Sequence, residues 1–249
     1  MLLGGRCDAA DPWQARLSEA SQEISAHDFV AAQAVLAGLL RDNPKIPAAH
    51  NLMGMCLLGL GSLDAAATSF RRAIELNPAY ASARLNLADV LQKQGKQAEA
   101  EESLRAAIRL KPGFIEARVA LAKLLLAGKQ EDAALEQFEA VIALEPRQVF
   151  ALGNAGLIFA RRSDYQKAIE RLSRAHALDP SSTPLALALA ESEIRAGRQK
   201  DAGQLILELQ SEGRMNSDAG RILASVCLQS GQPLMGAELV KREPELAAR

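Results

Sequence analysis

At 249 residues, 49% of them apolar, the chain has ample surface to bury, yet it stands near the size at which a single compact core stops growing. Only 4% of the residues are aromatic, which excludes a core filled by large rings and leaves alanine to make the close contacts. A formal net charge of −1 with no Lys or Arg run excludes a nucleic-acid backbone as the main ligand. No window holds the roughly 18 consecutive apolar residues of a membrane span.

The chain opens on Met1-Leu2-Leu3-Gly4-Gly5-Arg6-Cys7, which is too short for a signal peptide and lacks its basic leader. It reads as the tail of a leader only if the true start lies upstream, and Gly4-Gly5-Arg6 before Cys7 matches a lipoprotein cleavage site poorly. Residues 1–12 therefore form an N-terminal tail, and Asp11-Pro12 is expected to open the first helix, with Asp as cap and Pro at the first helical position.

From there one unit recurs. Pro44, Pro78, Pro112, Pro146 and Pro180 follow one another at intervals of 34 residues, and a fixed period of this size means a structural unit copied along the chain. With each proline at place 32, the units begin near Trp13, Pro47, Ala81, Ile115, Val149, Thr183 and Ser217. Place 8 reads Ala20, Gly54, Ala88, Ala122, Gly156, Ala190, Ala224, and place 20 reads Ala32, Ala66, Ala100, Ala134, Ala168, Ala202, Gly236. Place 24 reads Leu36, Phe70, Leu104, Phe138, Leu172, Ile206, Val240. Two small columns let helix backbones approach closely, and one large column fills the space between turns.

Within a unit the apolar spacing is helical. In the second, Leu52, Met53, Cys56 and Leu57 form one stripe and Ala66, Phe70, Ala73 and Ile74 another, at the i, i+3, i+4, i+7 spacing. Gly61-Ser62 between them is expected to end one helix and cap the next, with Gly95, Gly128, Gly197 and Gly231 marking the same turn elsewhere. In the fifth unit Ser163 and Gln166 have the pattern of a capping box. The place-32 proline closes the second helix because it cannot continue the hydrogen-bond ladder. Each unit is therefore a helical hairpin, no segment reads as a strand, and the predicted fold is an all-α solenoid, an α-α superhelix of about seven hairpins.

This layout resembles the tetratricopeptide repeat family, whose signature is Trp at place 4, Leu and Gly at 7 and 8, Tyr at 11, Ala at 20, Phe at 24 and Pro at 32. The second unit matches it with Met53-Gly54, Leu57, Ala66, Phe70, Ala73 and Pro78, and the third with Leu87-Ala88, Leu91, Ala100, Leu104 and Pro112. Residues 13–216 read as six such repeats and residues 217–249 as a degenerate seventh with a C-terminal cap. The departures are specific. Place 4 never carries Trp. Glu19 and Glu23 stand at places 7 and 11 of the first repeat, and Glu193 stands at place 11 of the sixth. Arg214 replaces the sixth proline, and Glu243 stands at place 27 of the seventh.

The resemblance implies that the first helix of each hairpin lines a concave groove that takes an extended peptide or a helix. Carried over place by place, the groove rows offer an apolar lane from Met55 and Leu58 through Leu85, Val119, Leu126 and Leu157 to Leu187 and Ile194. Asn86 and Asn154 occupy place 6, where the family often holds a ligand backbone, since an amide offers both donor and acceptor. Asn51, Asp89 and Glu191 join these rows, and Lys93, Lys123, Arg161 and Arg195 are candidates to neutralise acidic ligand groups. The places at which some members clamp acidic chaperone tails hold Asn51, Met55, Asn86, Glu116 and Ala120 here. Only Asn86 suits that task and Glu116 has the wrong sign, so such tails are not expected partners.

Nothing marks a catalytic centre or a cofactor site. Cys7, Cys56 and Cys227 share no metal-like spacing and are read as a tail thiol and two small core residues. His27, His50 and His176 fall in three different repeats, and no metalloprotease, Cys-x-x-Cys or phosphate-loop pattern occurs. No enzyme, metal or cofactor is expected. The first functional reading is a non-enzymatic scaffold that holds a protein partner's peptide or helix in the groove, cytoplasmic on the sequence as given. A second is a periplasmic or lipid-anchored envelope or pilus assembly factor built of the same repeats. A third is the repeat region of a longer glycosyltransferase or kinase. Self-association is left open.

Overall fold

The computed structural model describes residues 12–214 and residue 220. Among these residues there are helices and turns and no strand. In order the helices pair as α1 (Pro12–Ser25) with α2 (Phe29–Asp42), α3 (Pro47–Gly59) with α4 (Leu63–Leu76), and α5 (Ala81–Lys93) with α6 (Gln97–Leu110). Then follow α7 (Ile115–Ala127) and α8 (Glu131–Leu144), α9 (Val149–Arg161) with α10 (Tyr165–Leu178), and α11 (Thr183–Arg195) with α12 (Gln199–Ser211). The chain divides at Leu124, inside α7, into two compact units. In the first unit each of α1 to α5 packs on the helix that follows it, and α3 also touches the first helices on either side, α1 and α5. In the second, α8 to α12 pack in the same sequential way, and α9 touches α11. The fold is the all-α, solenoid type read from the repeat.

The three columns build the core. Ala20, Ala88, Ala122 and Ala190 at place 8, every described alanine at place 20 (Ala32, Ala66, Ala100, Ala134, Ala168, Ala202) and every described residue at place 24 are fully buried. Gly54 and Gly156 show how close the crossing is. A Cβ on Gly54 would stand 2.6 Å from the Phe70 ring, and one on Gly156 would stand 2.6 Å from Leu172 Cγ. Places 8 and 24 are therefore in direct contact within a hairpin, and the bulk at one limits the bulk at the other. Ala224, Gly236 and Val240 lie outside the described residues, as do Cys7, Asp11, Cys227, Gly231, Glu243 and Pro244. Pro12 does stand first in α1. Cys56 is wholly buried in α3, and burial pushes its thiol up to about 11, so it packs as a small apolar residue.

The hairpin turn is set by place rather than by residue type. Place 15 is left-handed in every described repeat: His27 (φ 61°), Gly61 (76°), Gly95 (77°), Lys129 (58°), Ser163 (60°) and Gly197 (79°). The next residue's N–H then reaches back to the place-11 carbonyl, as in Ser62 to Leu57 (2.8 Å), Gln130 to Leu125 (2.8 Å) and Arg198 to Glu193 (2.7 Å). This is the Schellman closure, and the residue that completes it is also the N-cap of the second helix. Two expectations are corrected here. In the fourth repeat Lys129, not Gly128, holds the left-handed position. In the fifth, Ser163 is that turn residue and Asp164 is the cap, accepting from Lys167 N, so Ser163 and Gln166 form no capping box. Ser62 occupies the N-cap of α4 but makes no side-chain cap bond.

A left-handed non-glycine residue costs about 1–2 kcal/mol, part of which glycine would return as unfolded-chain entropy. Lys129→Gly is therefore expected to stabilise the chain by about 0.5–1 kcal/mol, and Gly128→Ala to be tolerated. Thermal unfolding midpoints check both; a lower midpoint for Lys129→Gly would contradict the turn geometry.

The turns between repeats have their own closure. Each described place-32 proline lies two residues beyond the last helical residue, and its carbonyl accepts a side-chain bond from the repeat that follows. The donors are His50 to Pro44 (2.9 Å), Arg84 to Pro78 (3.1 Å) and Arg118 to Pro112 (2.9 Å), all at place 4, where the family signature has Trp. In the second unit place 4 holds the buried Leu152 and Ala186. There Arg174 of α10 takes the Pro146 carbonyl (3.0 Å), and Arg214 takes those of Pro180 (3.1 Å) and Ser181 (2.7 Å) and donates to Thr183 Oγ1 (3.2 Å). Arg214, which stands where a proline was expected, thus ties the end of one repeat to the turn before it.

Candidate functional site

The candidate site is the exposed side of the first helices, and it is described unit by unit. In the first unit, α3, α5 and α7 carry Met55, Leu58, Leu85 and Val119, all half-buried, and Asp89, Lys93 and Lys123, all exposed. Lys93 pairs with Asp89 one turn earlier (3.6 Å, both half exposed), an arrangement that contributes little to stability. Asn51 is only 6% exposed. Its Oδ1 accepts from Asn86 Nδ2 (3.0 Å), and its own amide lies 3.8 Å from Met55 Sδ. The two asparagines, read as separate groove residues, therefore form one amide pair that joins α3 to α5. An amide buried as deeply as Asn51 needs a partner, and Asn86 supplies the donor for its oxygen.

In the second unit, α9 and α11 carry the remaining rows. Leu126 at the end of α7 is half-buried. Asn154 Nδ2 donates to the Phe150 carbonyl one turn back (2.8 Å), so its side-chain carbonyl is the group left for a ligand. Leu187 (9% exposed) and Ile194 (7%) do not continue the apolar lane. They sit in the core cluster with Ala202, Leu205, Ile206 and Leu209 of α12, so apolar packing and not a ligand takes them up. Leu157 does remain open, at 38%.

Four of the sequence-read residues come together here. Leu157 and Arg161 of α9 and Glu191 and Arg195 of α11 line an open cleft of about 340 Å³. Ala160, Ala188 and Ser192 form its floor, and Ser163 and Tyr165 stand at the turn into α10. The Ser192 hydroxyl is spent on the Ala188 carbonyl (2.8 Å), and Tyr165 OH meets Ser163 Oγ at 3.2 Å. Arg161 Nε pairs with Glu131 at the start of α8 (2.7 Å). Tyr165 and Ser192 escaped the sequence reading. Tyr165 is the first residue of a second helix, outside the rows considered, and its place beside the turn is the signal that would have found it. Among the described residues no group of three His, Cys, Asp or Glu side chains could hold a metal ion, and no helix is long and apolar enough to cross a membrane.

Known proteins share this architecture. A solved structure named YrrB, a TPR protein with an unusual peptide-binding site, is 25% identical, with 72% of this chain and 90% of that one covered at a TM-score of 0.57. The pilF protein of Pseudomonas aeruginosa is 21% identical over 79% of this chain and 90% of its own (TM-score 0.58). A tetratricopeptide repeat protein from Parabacteroides merdae is 16% identical over 94% and 93% (TM-score 0.60). At the identities of the last two, the likeness is one of fold alone. One tetratricopeptide repeat family model matches residues 17–81 and 57–114, and a second matches 93–153 and 159–226. With hairpins, sealed columns and family matches in the same register, the chain belongs to the tetratricopeptide repeat family.

Proposed function

We propose that this protein is a non-enzymatic scaffold that holds a peptide or helix of a protein partner along the groove side of its first helices. The observation that carries the reading is the contrast between the two sets of positions. Places 8, 20 and 24 are sealed, while the first-helix rows leave Asp89, Lys93, Lys123, Leu157, Arg161, Glu191 and Arg195 exposed and varied in charge and size. A surface with mixed charge and an open leucine offers the anchors and polar contacts that peptide recognition uses. The likeness to a protein with a peptide-binding site supports a peptide as the occupant.

The test compares capture of partners by the native chain and by a Leu126→Asp, Asn154→Ala double variant, with helicity measured alongside. Partners retained by the native chain and lost by an equally helical variant are the expected outcome. Partners held equally by both would move the site away from these faces.

A further inference from the structure

We infer that the cleft between α9 and α11 selects a partner segment that presents a side-chain carboxylate next to a large apolar residue. This rests on the groove reading above and narrows it to a chemistry. The cleft is rich in donors. Arg161 reaches Glu131 through its Nε (2.7 Å), and its side chain stays half exposed at the cleft, so the guanidinium still offers donors to a ligand. Arg195 is exposed and has no ion-pair partner among the described residues. At the turn Tyr165 OH donates to Ser163 Oγ, so the Ser163 hydroxyl keeps its own proton for a ligand. Glu191 is the one carboxylate in the lining. A guanidinium fork matches a carboxylate in shape and charge, so the occupant is acceptor-rich. Below the donors, Leu157 is 38% exposed and flanked by Ala160 and Ala188, a shallow apolar seat for an aliphatic or aromatic side chain.

Glu191 makes the inference sharper. It lies four residues before Arg195 on the same helix, the spacing and order that favour an ion pair, yet the two are not paired here. It is the internal competitor of an incoming carboxylate. Removing Arg195 and removing Glu191 must therefore act in opposite directions on an acidic ligand. A patch that bound peptides through shape alone would respond to neither in that way.

The probes are short peptides of alternating leucine with glutamate, glutamine or lysine, acetylated and amidated at their ends so that only side chains carry charge. Binding to the full chain is followed by backbone amide shifts of Leu157, Tyr165 and Glu191. The leucine–glutamate peptide is expected to bind at the cleft and the leucine–lysine peptide not to bind. Arg195→Gln should weaken the acidic peptide about tenfold and Glu191→Gln should tighten it about threefold, while Arg195→Glu should transfer binding to the lysine peptide. Both positions are exposed, so folding is preserved. Equal binding of the glutamate and glutamine peptides, or of the lysine peptide to the native chain, would overturn the carboxylate and leave the groove reading standing. A requirement for a free peptide C-terminus would overturn the side-chain source. No shift at these residues with any of the peptides, free or blocked, would overturn the carboxylate inference, and the partner-capture comparison above then decides the groove reading by itself.

Discussion

Replacing Ala100 by Arg is expected to lower the stability of the chain by about 3–5 kcal/mol, a loss in proportion to an unpaired charge forced into a packed interior. Ala100 is fully buried in α6, at the alanine column that is fully buried in every described repeat. The longer side chain has to displace neighbours and bring a guanidinium with it, and no carboxylate stands among the buried residues of α5 and α6 to receive it. The control lies two residues away. Ala98 is exposed on the same helix, so Ala98→Arg should change stability by no more than about 0.5 kcal/mol. Urea unfolding of the two variants measures the difference directly. Equal midpoints would show that the column is not the packing seam. Because each hairpin leans on its neighbours, the loss at Ala100 should also appear in amides of α4 and α5 by hydrogen exchange.

The second large effect is a dependence on pH that comes from one carboxyl group. Glu193 stands at place 11 of the sixth repeat, where Leu57, Leu91 and Leu125 stand in others, and it is only 8% exposed. Its Oε2 has no hydrogen-bond partner. Burial raises its pKa to about 7 from the model-compound value of 4.5, Asp201 adds to the rise, and Arg198 opposes it. Between these two values the folded chain binds a proton that the unfolded chain has released. Stability is therefore greatest below pH 4.5 as far as this group is concerned, and it falls as pH rises towards 7. The fall amounts to about 1–3 kcal/mol. Glu193→Leu should remove that slope and be the more stable protein at pH 8. Parallel stability profiles for the two proteins between pH 4.5 and 7 would show that Glu193 is solvated in the folded state.

The prolines and the alanine columns were legible in the sequence because a steric demand that recurs every 34 residues leaves the same residue type each time. The turns were less legible for the opposite reason. Backbone shape at place 15 is imposed by the helices on either side, and Lys129 and Ser163 accept it at a cost that no composition rule reveals. Gly128, one residue earlier, drew the reading to the wrong position. The groove rows were only partly legible because row membership gives a direction and not a neighbour. Leu187 and Asn51 share place 5, yet one enters an apolar core and the other, itself buried, accepts a hydrogen bond from Asn86. The cleft itself required α9 and α11 side by side. Its Tyr165 comes from a second helix, which a reading confined to first helices passes over.

The side-chain bonds to the proline carbonyls carry a consequence for how far these repeats can be shortened. In the first unit the lock is His50, Arg84 or Arg118, each six residues beyond its carbonyl. In the second unit it arrives from much farther along, from Arg174 and Arg214, 28 and 34 residues on. Both kinds of repeat carry their own key, because the donor always lies in the repeat that follows the proline. They differ in how much of the hairpin must be present. A repeat trimmed after its first helix would keep a lock of the first kind and lose one of the second.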